Sequence, residues 1–146
     1  MSVLRSCLLA LTAASMLGAC GQMSQEPIQV RDAWSPALPN NMAAVYVTIT
    51  ANEPDVLLGG NAPMAQTTEM HETAEEDGMM RMRPLERVSL AAGETVRFER
   101  GGKHFMLMGL SRPLTQGETF PMTLRFAKAG EIPVTVEVRA LGEGMP

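Results

Sequence analysis

An all-β fold, arranged as a Greek-key sandwich or barrel in one domain, is predicted by three features of the sequence. Apolar and polar residues alternate with a period of two in ten short segments, as expected for half-buried strands. Turn residues such as Asp77-Gly78 and Gly101-Gly102 separate these segments at intervals of roughly 8–12 residues, which is typical of sandwiches and barrels. No segment keeps helical periodicity. A chain of 146 residues with 45% hydrophobic content is long enough for one packed core.

The ten predicted strands follow one another along the chain, each between two turn signals. They are Ile28–Trp34, Ala43–Thr50, Val56–Gly60, Gln66–Glu72, Met79–Met82, Val88–Leu90, Thr95–Arg100, His104–Leu110, Thr119–Phe126 and Ile132–Ala140. The acidic segment 74–78 between the fourth and fifth strands is predicted to be a solvated hairpin tip, because its carboxylates lack the spacing of a calcium loop.

The N-terminus predicts an export signal over residues 1–19. Arg5 supplies a basic region, Leu8–Leu17 an apolar stretch, and Leu17-Gly18-Ala19 a cleavage signal of small residues. About ten apolar residues fall short of the roughly 20 that a membrane-spanning helix needs. The next residue is Cys20, and Leu-Gly-Ala-Cys resembles the lipobox of bacterial lipoproteins, in which the cysteine is acylated. The alternative is release as a soluble protein.

The remaining boundaries follow from composition. Residues 20–27 are predicted to be the lipidated cysteine and a short tether, 28–141 the folded domain, and 142–146 a short flexible tail. The domain contains no cysteine, so an internal disulfide is excluded. Loss of Arg5 with the signal lowers the basic count from 12 to 11 against 16 acidic residues, a formal charge of −5. Nucleic acid is therefore not expected as a partner, and we expect a monomer.

Four residues are candidate metal ligands: His71, Met82, His104 and Met106. They include both histidines of the chain. Two imidazoles and two thioethers are neutral, soft or borderline donors, and this set favours Cu(I) over Mg²⁺, Ca²⁺ or Mn²⁺. Thioethers also resist capture as disulfides, so they suit an oxidising compartment. The sequence predicts one Cu(I) ion held by these four side chains.

Strand geometry predicts how these residues meet. If Asp77-Gly78 forms a two-residue turn, Thr73 faces Met82 and His71 lies diagonally across from Met82. Alternation along the later strand places His104, Met106 and Met108 on one face, and Phe105 and Leu107 on the other, in the core.

The other methionines and the two large aromatic residues have simpler interpretations. Since methionine is a good core filler and the chain has 13 of them, a single Met carries little information. Trp34 and Tyr46 are predicted to be core anchors. Three methionines are predicted to pack in the core: Met42, Met64 and Met122. Four others have no clear assignment: Met70, Met79, Met80 and Met108. Of these four, Met70 and Met108 flank the candidate ligands in the sequence.

The spacing of the four ligands resembles that of the PCuAC-type periplasmic copper chaperones, whose second His and last Met stand in an HxM strand. The resemblance extends over most of the exported part and includes Asp32-Ala33-Trp34, Ala44–Ile49, His71-Glu72-Thr73, Met80–Arg83, Gly109-Leu110, Pro113-Leu114 and Leu124–Phe126. One departure is Ser35-Pro36, where an arginine is expected after the tryptophan segment.

The resemblance implies a cupredoxin-like fold and a non-catalytic carrier located in the periplasm. It also implies delivery of copper to the CuA centre of cytochrome c oxidase subunit II, with a thiol-bearing assembly protein as a possible intermediary. Copper buffering or resistance without a dedicated client stays open as an alternative. A blue-copper electron carrier needs a Cys thiolate, and a zinc hydrolase needs three good ligands and a base, so both are disfavoured.

Overall fold

A computed structural model describes residues 26–144, and every regular element in this range is a β-strand. A helix able to span a membrane is also missing from this part of the chain. The strands are β1 Ile28–Pro36, β2 Met42–Ala51, β3 Asp55–Asn61, β4 Thr67–Glu76, β5 Met79–Leu85, β6 Val88–Leu90, β7 Thr95–Phe98, β8 Lys103–Met108, β9 Thr119–Phe126, β10 Gly130–Arg139 and β11 Leu141–Gly144.

Ten of these strands form one sheet in the order β5-β4-β8-β7-β2-β1-β10-β9-β3-β6, with an additional pairing between β8 and β2. Most neighbours run antiparallel, whereas β1 with β10 and β7 with β8 run parallel. The sheet curls so that its two halves face each other across one core. The predicted all-β, cupredoxin-like fold is confirmed.

The core follows directly from the alternating pattern of the strands. Along β2 and β9 every second residue is buried, and the other residues are half-buried or exposed. The buried side chains of the two halves meet at Gly60, where an added Cβ would lie 2.6 Å from the Met122 methyl and 3.2 Å from the Phe105 ring. A side chain at this position would force the Met122 methyl to move and would crowd the Phe105 ring.

A buried carboxylate ties the start of β3 to the β9–β10 turn. Asp55 accepts hydrogen bonds from its neighbour Val56 at 2.7 Å and from the amides of Lys128 and Ala129, each at 2.9 Å. The Ala127 amide also donates to the Val56 carbonyl at 2.9 Å. One side chain therefore satisfies three backbone donors and connects two distant segments.

The ten predicted strands are all present, with ends shifted by a few residues. The structure adds β11 at Leu141–Gly144, so the predicted flexible tail from residue 142 includes the end of a strand. The end of the predicted tether is held to the domain, because Asn52 donates to the carbonyls of Glu26 and Pro27. The predicted signal peptide and Cys20 lie outside the described residues.

Candidate metal site

The four candidate ligands lie on one face of the three-stranded segment β5-β4-β8. On β4 and β8, His71 and His104 are directly opposite each other, and Glu69 is opposite Met106. On β4 and β5, Thr73 is opposite Met82 and His71 is opposite Pro84. Since cross-strand partners share a face, Met82, His71, His104 and Met106 all project to the same side of the sheet.

The β4–β5 hairpin has the predicted register. Asp77 and Gly78 both have positive φ angles, 53° and 75°, as the two central residues of a type I′ turn require. Met82 is consequently diagonal to His71, and its Sδ lies 3.2 Å from the His71 Nδ1. For metal bonds of about 2.0 Å to imidazole nitrogen and about 2.3 Å to sulfur, two atoms at this separation can bind the same ion.

Glu69 determines which nitrogen of His71 is available. Its Oε2 lies 2.9 Å from His71 Nε2. A carboxylate only accepts, so Nε2 carries the hydrogen, and in the neutral ring Nδ1 presents its lone pair to Met82. The Met82 thioether has no hydrogen to donate. Two lone pairs that face each other are stabilised by a cation between them, which is the arrangement that a metal ligand pair needs.

His104 is oriented by the backbone. Its Nδ1 is 3.1 Å from the Gly102 carbonyl, which only accepts, so Nδ1 is protonated and Nε2 keeps the free lone pair. The ring is only 5% exposed and lies edge-on to the His71 ring, with 5.9 Å between their centroids. Met106 follows two residues later on the same face and is half-buried. The second imidazole is thus fixed in place beside the first.

Among residues 26–144, no three His, Cys, Asp or Glu side chains form a cluster able to hold a metal ion. A metal site on this face therefore depends on thioethers as well as imidazoles. That donor set suits a soft monovalent ion and gives a divalent oxygen-seeking ion too few oxygen ligands. The residues present fit Cu(I) in this respect.

The flanking methionines divide between the two faces of the sheet. Met70 is buried in the core on the opposite face and faces Phe105, so it does not flank the candidate ligands. Met108 is on the ligand face, opposite Met42 on β2. Met42 is exposed, so its predicted packing role is wrong. Met122 is in the core and Met64 packs against it, as predicted.

Trp34 is buried and Tyr46 half-buried, as expected of anchors, but neither belongs to the main core cluster. They are cross-strand partners with ring centroids 4.8 Å apart, on the face opposite the buried Val45 and Val47 of β2. The guanidinium groups of Arg100 and Arg139 lie 5.6 and 5.5 Å from the Trp34 ring centroid. Burial raises the pKa of Tyr46, and Arg100 offsets part of that rise. The predicted core anchors form a separate aromatic and arginine cluster.

Comparison with known proteins identifies the family of the chain. The profile of a family described as putative LpqE-like lipoproteins matches residues 28–138. The chain belongs to the LpqE-like family. A putative lipoprotein of Leifsonia xyli subsp. xyli is 33% identical over 115 residues, which are 77% of this chain and 69% of that protein.

Solved structures connect the LpqE-like chain to PCuAC domains. The solution structure of Cu(I)-bound DR1885 from Deinococcus radiodurans is 32% identical, with a TM-score of 0.60, and covers 84% of this chain and 85% of that one. A copper-bound PCuAC domain from PmoF2 has a TM-score of 0.66 at 24% identity, over 79% of this chain and 94% of that domain, a likeness that shows the fold. The predicted membership of the PCuAC-type family is confirmed.

Sequence reasoning missed one residue of this candidate site, Glu69. Glu72, the neighbour of His71 in the chain, faces the other side of the sheet and pairs with Lys103 at 2.7 Å. The carboxylate partner of His71 is Glu69. The period of two could have identified it, because residues two apart on a strand share a face.

Proposed function

We propose that this protein is a periplasmic copper chaperone that binds one Cu(I) through His71, Met82, His104 and Met106. The observation that carries the proposal is the distance of 3.2 Å between His71 Nδ1 and Met82 Sδ. The buried His104 lies directly across from His71 on the neighbouring strand. The Cu(I)-bound DR1885 structure, at 32% identity, supports the same ion. Copper is cargo in this proposal, so the protein needs no catalytic group.

The ligand set suits a carrier that must release its ion. Thioethers are weaker donors than thiolates, so Cu(I) can move to a receiving site richer in Cys or His. We propose that the recipient is a membrane cuproenzyme, the CuA centre of cytochrome c oxidase, reached directly or through a thiol-bearing assembly protein. Acylation at Cys20 would keep the carrier at the membrane, and the lipoprotein names of the family and of the Leifsonia relative support this anchor.

The central test is a Cu(I) titration of the full chain followed by transfer to an apo CuA domain. We expect one equivalent of Cu(I) to bind as a colourless complex, and the CuA absorption to appear on mixing with the recipient under oxidising conditions. The absence of a 1:1 complex would overturn the proposal. Tight 1:1 binding without any transfer would favour the second candidate, copper buffering, over delivery. An intense blue Cu(II) form would instead indicate an electron carrier.

A second prediction concerns Glu69, which holds the His71 ring. Glu69→Ala removes the acceptor for Nε2–H, and we expect Cu(I) affinity to fall about tenfold, the lower end of the range for residues that support a ligand. Glu69→Gln keeps an acceptor oxygen and should recover most of that loss. Competition with a chromophoric Cu(I) chelator measures both constants. Glu72→Ala is the matched control on the other face and should leave affinity unchanged. Equal losses in the Glu69 and Glu72 variants would contradict this role.

A further inference from the structure

The edge strand β5 exposes methionines where soluble proteins usually place polar residues. Met79, Met80 and Met82 are 57%, 62% and 53% exposed, and all other residues of this strand before Leu85 are exposed as well. Exposed apolar side chains that occur singly need no explanation, but a group of them marks a surface that binds something. β5 is the last strand of the sheet, so its outer side has no neighbouring strand.

Only two of these three methionines face the candidate copper site. Met80 is opposite Glu75 and Met82 is opposite Thr73, so both share the face of His71. Met79 is opposite Glu76 and lies on the other face. Exposure increases outwards along the ligand face, from the buried His104 through the His71 side chain at 15% to Met82 and finally Met80.

The charges on β4, β5 and β8 are segregated in the same way. The cationic side chains Arg81, Arg83 and Lys103 all lie on the face opposite the ligands by their register. They pair there with carboxylates: both arginines with Glu76, and Lys103 with Glu72. On the ligand face, Glu75 is directly across from Met80. A cation leaving the site along β5 therefore meets a carboxylate and no ammonium or guanidinium group from these strands.

Release of Cu(I) from a partly buried site needs an intermediate contact. His104 is buried whereas Met82 and Met80 are exposed, so a recipient donor meets the β5 side of the site first. An exposed thioether on a flexible side chain can bind the ion while one original ligand still holds it. The ion stays monovalent: its bonds to His71, His104 and Met106 break as the Met80 sulfur binds it while Met82 still holds it, and donors of the recipient then replace the bonds to Met82 and Met80. A thioether carries no proton, so none is transferred.

We infer that Met80 is an exit ligand for Cu(I), to which the ion passes from Met82 at the open β5 edge before a recipient takes it. This inference rests on the proposed function and adds a site and a direction of transfer to it. Glu75 assists by its charge. Met80 is not a ligand of the resting site, so removing its sulfur affects the rate of release rather than the affinity.

The test compares Met80→Leu with Met79→Leu in the full chain. Leucine keeps the apolar volume and removes the sulfur, and the two positions are similarly exposed on opposite faces of one strand. Transfer of Cu(I) to bicinchoninate is followed by stopped-flow absorbance. We expect Met80→Leu to slow transfer about fivefold, close to 1 kcal/mol of barrier height, with Met79→Leu at the wild-type rate. Wild-type transfer by Met80→Leu, or equal slowing by both variants, would overturn the inference.

A second measurement observes the exit ligand directly. Ag(I) is a soft monovalent probe, and methyl-labelled methionine reports its binding by NMR. The first equivalent should shift the Met82 and Met106 methyl signals, and a second equivalent should shift Met80 but not Met79, with the Leu variants giving the assignments. If the first equivalent binds and the Met80 signal stays unmoved at the second, the exit ligand is wrong while the proposed function survives. If the first equivalent fails to bind at Met82 and Met106, the proposed function itself fails.

Discussion

Replacing His104 with Ala is expected to lower the Cu(I) affinity at least about 100-fold, beyond the usual cost of losing a residue that merely supports a ligand. Three features make this the most damaging single change at the site. His104 is 5% exposed, its Nδ1 is anchored to the Gly102 carbonyl, and its ring lies edge-on to the His71 ring at 5.9 Å between centroids. A ligand fixed before binding loses little conformational entropy when the metal arrives.

The measurement is a chelator competition at neutral pH, with thermal unfolding of the variant to show that it folds. Met108→Leu is the matched control, since Met108 stands on the same strand and face but outside the proposed ligand set. It should retain affinity within about twofold, because an apolar side chain of similar volume replaces it. A folded His104→Ala protein that binds Cu(I) as tightly as the wild type would exclude His104 as a ligand. His104→Gln, which keeps polarity and more volume, separates loss of ligation from loss of packing.

Local patterns predicted the hairpin half of this site. The sequence left a two-residue and a three-residue turn open at Asp77-Gly78, and the two-residue turn predicted Met82 diagonal to His71. The structure has this turn, with positive φ at both positions, and the predicted register. The alternation along β8 likewise put His104 and Met106 on one face, because the period of two is built into the strand. Both inferences need only residues that are close together in the sequence.

The direct pairing of His71 with His104 could not be predicted in this way. β4 and β8 are separated by three other strands along the chain and become neighbours through the topology of the whole sheet. Alternation gives the face of each strand but neither its partner nor its register with a distant strand. The resemblance to PCuAC proteins supplied this missing link, since the ligand spacing implied that the two histidines meet.

Trp34 shows a second limit of pattern reasoning. Uninterrupted alternation from Ile28 would put Trp34 on the core face, but the register of β1 with β2 shifts between Arg31 and Trp34, where Asp32 has a φ of 51°. A bulge of this kind exchanges the faces of all following residues. Trp34 consequently joins Tyr46 and the two arginines on the face opposite the core.

The second large effect is expected for stability, at Asp55. Burial raises the pKa of this carboxyl, but hydrogen bonds from the Ala129, Val56 and Lys128 amides and the charge of Lys128 outweigh burial, so the pKa lies below its ordinary value of 3.8. Asp55→Ala leaves these amides without their acceptor, and we expect the free energy of unfolding to fall by about 2–4 kcal/mol at pH 7. Urea denaturation measures this difference, and Glu53→Ala, at an exposed position two residues earlier, should change it by less than about 0.5 kcal/mol.

The pH dependence separates the charge of Asp55 from the shape of its side chain. A carboxyl whose pKa is lower in the folded than in the unfolded protein stabilises the fold above the unfolded pKa, and this stabilisation is lost as the pH falls through the folded value. Asp55→Asn has no ionisable group at this position. Its side-chain NH2 would face the Ala129 N–H, so a donor would meet a donor. The stability gap between wild type and Asp55→Asn should therefore be constant from pH 7 to about 5 and shrink below about pH 4. A gap that stays constant through pH 3 would show that the ionised carboxylate is not what holds β3 to the β9–β10 turn. Asp55 stands at the start of β3 and bonds to the β9–β10 turn rather than to the strands that carry the candidate ligands, so Cu(I) affinity at pH 7 should be unchanged in the folded variant.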